Sequence, residues 1–509
     1  MNPGNIISNR GYNLTTDKYS IGLAKLALML LMITAFIIYT AYLIQAIHVE
    51  RALYADGANF FVELLTKTSS WPVADDSKHI RLFVNIINQL PFIIALKSGV
   101  TDLNTLRFFF GAGLFLAPLF FYLYCFLLSC RANDYRVFYF SIFSLVTCAI
   151  PSDMFILNQA FTSLALSWII IHYLLLNLKI KWFDWAGVLV VSVLLFRSHE
   201  SLIIWGGIFF AGAVCVIIFR EKIFMNNKKP LVYTIGLLGL LQSAFVAFWQ
   251  YTHPVGEQTS AFLQLTSLLK PTEIWVGNTR ISVLMTSALL LVFFEQLYFN
   301  RTSAESKASK FCVAIGVFFI LGWMLVTGIS SLDNFNLTDP AREFEYRFLI
   351  TFGSGVWMLL VIAYMLYDKP LSNNVKSLSK VIICLGIISA SLWQISNNLQ
   401  WAIFSNATSQ VLQNSSLSRI EPDEVRKKLA TTDNENAYKY RWGWTWPVLG
   451  MSLQNEWGVN KLYKPEGYEV YFNPPKRIPF IPMSGGEIGS EGPGLYRFSQ
   501  FATQTKSNP

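Results

Sequence analysis

LALMLLMITAFIIYTAYLIQAI, residues 26–47, is an apolar run bounded by Lys25 on one side and by His48 and Glu50 on the other. A helix needs about 20 such residues to cross roughly 30 Å of hydrocarbon at about 1.5 Å per residue. The run is longer than the apolar core of a secretory signal, and no small-residue cleavage site follows it. It reads as an uncleaved first span. Outward from it the same pattern recurs, and the expected spans are 22–47, 106–129, 136–152, 155–177, 182–196, 201–219, 230–250, 281–299, 311–330, 347–367 and 380–398, eleven in all. Composition agrees: 53% of residues are hydrophobic and 14% charged, against roughly 25% charged in soluble proteins. The expected fold class is an all-α polytopic membrane protein.

The stretch 82–96 is shorter, holds Asn85, Asn88, Gln89 and Pro91, and follows Arg81. Polar groups are costly in lipid. It is therefore expected as an interfacial or re-entrant helix rather than a twelfth span. Charge supports that count. Alternate breaks carry Arg131 and Arg136; Lys179 and Lys181; Arg220, Lys222, Lys228 and Lys229; Arg301, Lys307 and Lys310; Lys369, Lys376 and Lys380. The positive-inside rule then puts these breaks and the N-terminus in the cytoplasm. The long first loop 48–105 and the tail 399–509 fall outside. The chain divides into a membrane domain, 1–398, and an outer C-terminal domain, 399–509.

The net charge of +9 is absorbed by these breaks, and no Gly-rich phosphate loop or long basic tract occurs, so no nucleic-acid partner is expected. Cys125, Cys130, Cys148, Cys215, Cys312 and Cys384 lie in or beside spans. They read as small packing residues, not as a metal site or disulfide framework. In the tail, Glu421-Pro-Asp-Glu-Val-Arg-Lys-Lys-Leu-Ala has acids before bases, as a short helix favours. Beyond it, pieces rich in Tyr, Trp, Gly and Pro suggest short strands and loops, hence a small α+β domain.

Ionisable residues at the outer span ends are the functional candidates. Asp56 opens a stretch in which Phe60, Phe61, Leu64 and Leu65 form an apolar helix face suited to a membrane surface. As a plain helix cap, Asp56 would need no further role. Asp75 and Asp76 in a polar turn can hold a metal or a hydroxylated ligand, or stay solvated. Arg197-Ser-His199-Glu200 joins two apolar helices, where it either serves a ligand or forms an internal ion pair. Arg342 and Arg347 stand in Asp339-Pro-Ala-Arg-Glu-Phe-Glu-Tyr-Arg, where they can pair with Glu343 and Glu345 or bind an anion.

The order of features resembles the GT-C superfamily of polyprenyl-phosphate-sugar-dependent glycosyltransferases, which includes protein mannosyltransferases and the lipid A aminoarabinose transferase. A first span is followed by Asp56 near the start of an outer helix, Arg81 before a Pro-containing apolar helix, Gly99-Val-Thr-Asp102-Leu, and Arg107 at the mouth of the next span. The similarity covers about the first 130 residues and the general topology. Size, loop and tail are also similar to the serotype-converting O-antigen glucosyltransferases. The family motif usually has two acids, and here Gly57 follows Asp56, which leaves metal dependence open.

The resemblance implies a GT-C-like fold in a bacterial inner membrane. It implies transfer of a sugar from a polyprenyl phosphate to a hydroxyl of a glycan, lipid or protein on the outer face. Asp56 would be the general base. Arg342, Arg347, Arg81 and Arg107, with Arg197 and Arg280 behind them, would face the lipid phosphate. Arg197, His199, Glu200, Asp75 and Asp76 would hold sugar or acceptor, and no cofactor is required. The Trp442–Trp446 cluster would be a sugar platform, a small core or a membrane-interface belt. The alternatives are a transporter or flippase, against which the sequence lacks matching halves, and an O-antigen polymerase.

Overall fold

The fold is given by a computed structural model that describes residues 11–66, 80–152, 159–220, 228–253, 349–366, 373–414, 419–441 and a few short pieces of the tail beyond. The expected spans 281–299 and 311–330, and the Trp442–Trp446 cluster, lie outside the described residues. The described chain is mostly helical. In order the elements are α1 Gly11–His48, a 3-10 turn Arg51–Leu53, α2 Asp56–Thr66, α3 Leu82–Lys97, α4 Leu103–Ala132, α5 Arg136–Ser144, a π turn Leu145–Ala149, and α6 Ile150–Ser152. Then come α7 Gln159–Leu175, α8 Trp182–Phe196, α9 Leu202–Arg220, α10 Lys229–Thr252, a second π turn Leu349–Gly353, α11 Ser354–Leu366, α12 Asn373–Asn414 and α13 Asp423–Ala430.

Five of these helices are long and apolar enough to cross a membrane, in α1, α4, α9, α10 and α12. The other apolar helices are shorter and pack within the bundle. The core of the bundle is apolar like that of a soluble fold, but its surface is apolar too, and some amides lie inside. Phe36, Ile37, Ile44, Phe120, Leu123, Val190, Val193 and Ile218 are exposed, while Asn85, Gln159, Gln242, Gln394 and Asn397 are buried. Exposed apolar surface on this scale belongs against lipid. Tyr251 is 85% exposed at one end of α10, and Tyr233 is 56% exposed near the other. On a helix these positions lie about 27 Å apart, close to the hydrocarbon thickness that interfacial aromatics bracket.

At the centre stands α7, every residue of which is buried. A helix apolar on all sides has to be enclosed by others, and α3, α4, α5, α8, α9, α10 and α11 pack around it. Small residues set the closest crossings, as they do in membrane bundles. A Cβ at Gly206 would lie 2.5 Å from the Gly239 carbonyl oxygen, so α9 and α10 touch backbone to backbone. The two π turns face each other: a Cβ at Gly353 would meet Cys148 Sγ at 2.8 Å, and Trp357 Nε1 donates to Thr147 Oγ1 at 2.8 Å.

Helix ends segregate to two sides. At the far end, Arg131 grips Asp184 with two of its nitrogens, at 2.6 and 2.5 Å, and Lys228 donates to the carbonyls of Leu174, in the last turn of α7, and of Leu176, just past it. At the near end, Arg107 on α4 binds Glu50 after α1 at 3.0 Å. There Arg81 joins α3 to Gln159 at the start of α7 and to Glu200 between α8 and α9. The first and last described long helices lie side by side and parallel, since Asn398 on α12 meets Gln45 and Trp401 meets Val49.

Three expectations change in detail. The apolar face of α2 does not lie on the membrane, because Phe61, Leu64 and Leu65 are fully buried in protein. Phe61 forms an edge-to-face triangle with Phe92 of α3 and Phe110 of α4, with ring centroids 5.6 to 5.9 Å apart. The stretch 82–96 is a helix running antiparallel to the first half of α4. A Cβ at Gly113 would clash with the Asn88 carbonyl oxygen at 2.0 Å. Its polar residues avoid lipid by facing the first turn of α7, where Gln159 Nε2 donates to Asn85 Oδ1 at 2.5 Å and Thr162 Oγ1 to Asn88 Oδ1 at 2.7 Å. Finally, α12 does not end at 398 but continues to Asn414. Its last turns bury Trp401, Phe404 and Leu412, and α13 and a 3-10 turn Glu435–Tyr440 pack back on them. The described tail is otherwise two-residue strands, Arg419–Ile420 beside Leu462–Tyr463 and Ile481–Pro482 beside Tyr496–Arg497.

Asp102 caps α4, accepting from Thr105 N at 2.7 Å and from Thr105 Oγ1 at 2.6 Å. The Thr105 hydroxyl bond, then the amide bond, holds the carboxyl below its usual range. A depressed pKa stabilises the fold fully above the unfolded value and loses that contribution as pH falls through the folded one. Asp102→Ala is expected to cost about 0.5–2 kcal/mol, near the lower figure because the site is exposed. A thermal melt in detergent at pH 7 checks this, and the gap from wild type should narrow as the medium is brought below about pH 4.

Candidate functional site

The near end of the bundle gathers polar side chains from five elements. Their anchor is Glu200, in the five-residue connection, 197–201, between α8 and α9. The connection carries no helix, and its backbone is tied to a neighbour, since Phe83 N donates to Arg197 O at 2.9 Å; just past it, Trp205 Nε1 of α9 donates to Thr351 O at 2.9 Å. Arg81 Nε lies 3.0 Å from both Glu200 oxygens, and Arg81 Nη1 donates to Gln159 Oε1 at 2.9 Å. The pair is mostly shielded, with side-chain exposures of 16% and 19%. At that depth the two charges are screened weakly and hold each other in place.

His199 faces the same carboxylate, its Nε2 3.4 Å from Glu200 Oε2. The Ser201 amide donates to His199 Nδ1 at 3.2 Å, and the Ser201 hydroxyl sits 2.8 Å from that nitrogen. An Nδ1 that accepts leaves the neutral ring's proton on Nε2, aimed at Glu200. Ser201 Oγ also meets Thr351 Oγ1 at 2.6 Å, so the second π turn contributes to the cluster. π turns recur at functional sites because the extra residue redirects side chains. A polar row continues inward through Gln159, Asn85, Thr162 and Asn88, and Ser163 meets Ser198 at 2.9 Å beside it.

A second group surrounds Asp56. Ala55 adopts φ 52 and Glu50 φ 57, both left-handed, so the chain turns sharply before Asp56 starts α2. A Cβ at Gly57 would fall 1.7 Å from the Ala52 carbonyl oxygen. No side chain fits there, so glycine at 57 follows from the close approach of the Ala52 carbonyl. Arg51 is buried and donates to Gln394 Oε1 at 2.9 Å, Asn398 Oδ1 at 2.7 Å and Tyr42 Oη at 3.3 Å. Its guanidinium also lies 5.1 Å from the Phe115 ring centroid. Burial pushes the Tyr54 phenol well above its usual range, offset by the positive Arg51 and reinforced by the negative Asp56.

Of the residues singled out from sequence, Arg81, His199 and Glu200 come together. Arg197 shares their loop but lies over Trp249, 4.6 Å from the ring centroid, and Trp249 stacks on His253 at 4.2 Å. Arg107 is buried and engaged by Glu50 and Asn104, which ties α4 to the end of α1 rather than joining the Arg81 cluster. Asp75, Asp76, Arg280, Arg342 and Arg347 lie outside the described residues. Among the described residues no group of three His, Cys, Asp or Glu could hold a metal.

Sequence reading did not single out Arg51, Gln159 or Thr351. A usable signal existed in spacing: Asn85/Asn88 and Gln159/Thr162 each repeat at i, i+3, which puts two polar groups on one helix face. Comparison of the chain with family models, curated proteins and solved structures finds no match.

Proposed function

We propose that this chain is a membrane glycosyltransferase that moves a sugar from a polyprenyl-phosphate carrier to a hydroxyl of a glycan, lipid or protein. The observation that carries the reading is the Arg81–Glu200–His199 cluster, set at the same end of the bundle as the turn that presents Asp56. A sugar joined to a lipid phosphate arrives already activated, so the protein needs a base and cations but no cofactor. Asp56 takes the proton of the acceptor hydroxyl as its oxygen bonds to the anomeric carbon. The bond from that carbon to the phosphate oxygen breaks, and the lipid phosphate leaves with the electron pair. Arg81, with Arg342 and Arg347, stabilises that charge through charge-assisted hydrogen bonds. A single displacement inverts the anomeric configuration. Arg197, His199, Glu200, Asp75 and Asp76 orient sugar and acceptor, and divalent metal dependence stays open.

In this reading the chain has eleven spans, its N-terminus is cytoplasmic, and the near end of the bundle faces the outside of a bacterial inner membrane. The basic residues Arg131, Arg136, Lys179, Lys181, Lys228 and Lys229 support that orientation, since they cluster at the far end. Residues 399–509 form the outer tail, with the α+β portion after α13. A second reading, a transporter or flippase, has one observation in its favour: the buried polar row from Gln159 to Asn88.

The test offers polyprenyl-phosphate-linked sugars to membranes containing the protein and follows label into acceptor. Transfer is expected. Vectorial uptake with no transfer from any such donor decides for the transporter. Arg81→Gln should weaken use of the donor by about ten- to a hundredfold, from the roughly 1.5–3 kcal/mol of a hydrogen bond to a charged group. Unchanged donor KM and kcat would remove Arg81 from the phosphate site.

A further inference from the structure

The turn that carries Asp56 is held by the far end of the chain. Tyr54, buried just before it, packs edge-on against Trp401 of α12 at 5.5 Å and against Tyr440 of the tail at 5.9 Å. Tyr440 is itself buried, and its hydroxyl donates to Asn397 Oδ1 at 2.7 Å. One residue along from Asn397, Asn398 accepts from Arg51, and Gln394 does so one turn earlier. Trp401 Nε1 donates to Val49 O at 3.0 Å, next to Glu50. Between these contacts run the two left-handed residues, Glu50 and Ala55. A non-glycine residue keeps such a conformation only where its surroundings over-determine it. The surroundings here include one face of α12 and one tyrosine of the tail, besides α4, whose Arg107 holds Glu50.

We propose that the C-terminal tail positions the catalytic turn. Tyr440, docked by Asn397 and packed on Tyr54, closes the cradle that fixes the left-handed entry into α2 and hence the direction of Asp56. The inference rests on the proposed role of Asp56 for its catalytic meaning, but the clamp itself is a property of the fold. Tyr54, Tyr440 and Arg51 are positioning residues: they touch the turn, not the reacting atoms.

The experiment measures amide hydrogen exchange over residues 49–58 in the full-length protein in detergent, alongside sugar transfer. Tyr440→Ala removes ring and hydroxyl and should speed exchange in that segment by about tenfold or more. It should also lower kcat with little change in donor KM, as loss of alignment does. Tyr440→Phe keeps the ring and loses only the bond to Asn397, so it should fold normally and show a smaller effect of the same kind. Lys427→Ala alters an exposed pair within α13, with Glu424, and should leave residues 49–58 unaffected. Wild-type exchange over 49–58 in both Tyr440 variants would overturn the clamp, as would an equal effect from Lys427→Ala. Faster exchange in a protein that shows no sugar transfer would uphold the clamp and reject the glycosyltransferase.

Discussion

Asp56→Asn should lower sugar transfer by about 10²- to 10⁴-fold while the protein accumulates to its normal level. The size follows from losing a general base, since an amide of nearly the same shape cannot accept the hydroxyl proton. The structural cost should be small. Asp56 is only half-buried and stands in the first turn of α2, where its charge gains roughly 0.3–1 kcal/mol from the helix dipole. Asn remains a good residue at a helix start. Activity and stability should therefore separate. Transfer assayed at equal protein, with thermal melts in parallel, decides the matter. Near wild-type transfer would remove Asp56 as base, and a matching collapse of the melt would make its role structural.

Gly57→Asp should do the opposite, abolishing the folded protein rather than the chemistry alone. The substitution would restore the two-acid motif of the resembled family. Yet its Cβ would sit 1.7 Å from the Ala52 carbonyl oxygen. That atom is backbone and cannot swing aside. Its 3-10 turn is pinned by Arg51 below, and Gly57 N itself donates to Tyr54 O at 3.0 Å. Overpacking of side chains costs about 1–3 kcal/mol, and a backbone clash at a strained turn should reach or exceed that range. Gly57→Ala isolates the steric part and should fail in the same way. Loss of the monodisperse peak in detergent size exclusion is the expected result. A well-folded Gly57→Ala protein would show that the turn can open.

The helices were legible where apolar length alone defines them. Residues 182–196 were expected as a span and form a helix, α8, over the same residues, because the run is apolar and its ends are marked by Lys181 and Arg197, although it is one of the shorter apolar helices rather than one of the five long enough to cross a membrane. Legibility failed where a helix changes environment without changing conformation. α12 passes Asn397 and continues on Trp401, Phe404 and Leu412, which are buried by protein, Trp401 against Tyr54 and Val49 and the last turns against α13 and the tail. The face of α2 misled for a related reason. Phe61, Leu64 and Leu65 are apolar in either case, and sequence does not distinguish a lipid partner from Phe92 and Phe110.

Within the candidate site, the motif Arg197-Ser-His199-Glu200 was legible because four polar residues in succession interrupt two apolar helices. Its pairing with Arg81 was not, since the partners are 119 residues apart and only the tertiary fold joins them. Arg51 escaped for the same reason, two of its three side-chain acceptors named above, Gln394 and Asn398, lying on α12.

That last separation bears on how the protein is made. Arg51 and Asn398 are 347 residues apart, so α1 is synthesised well before α12. Until α12 arrives, the acceptors that it brings to Arg51 are not yet in the membrane, and the turn at Asp56 lacks one wall of its cradle. Assembly of the turn after α1 thus waits for α12. A chain that stops short of α12 carries Asp56 without that wall, so the making of α12 is a precondition for assembling this end of the molecule.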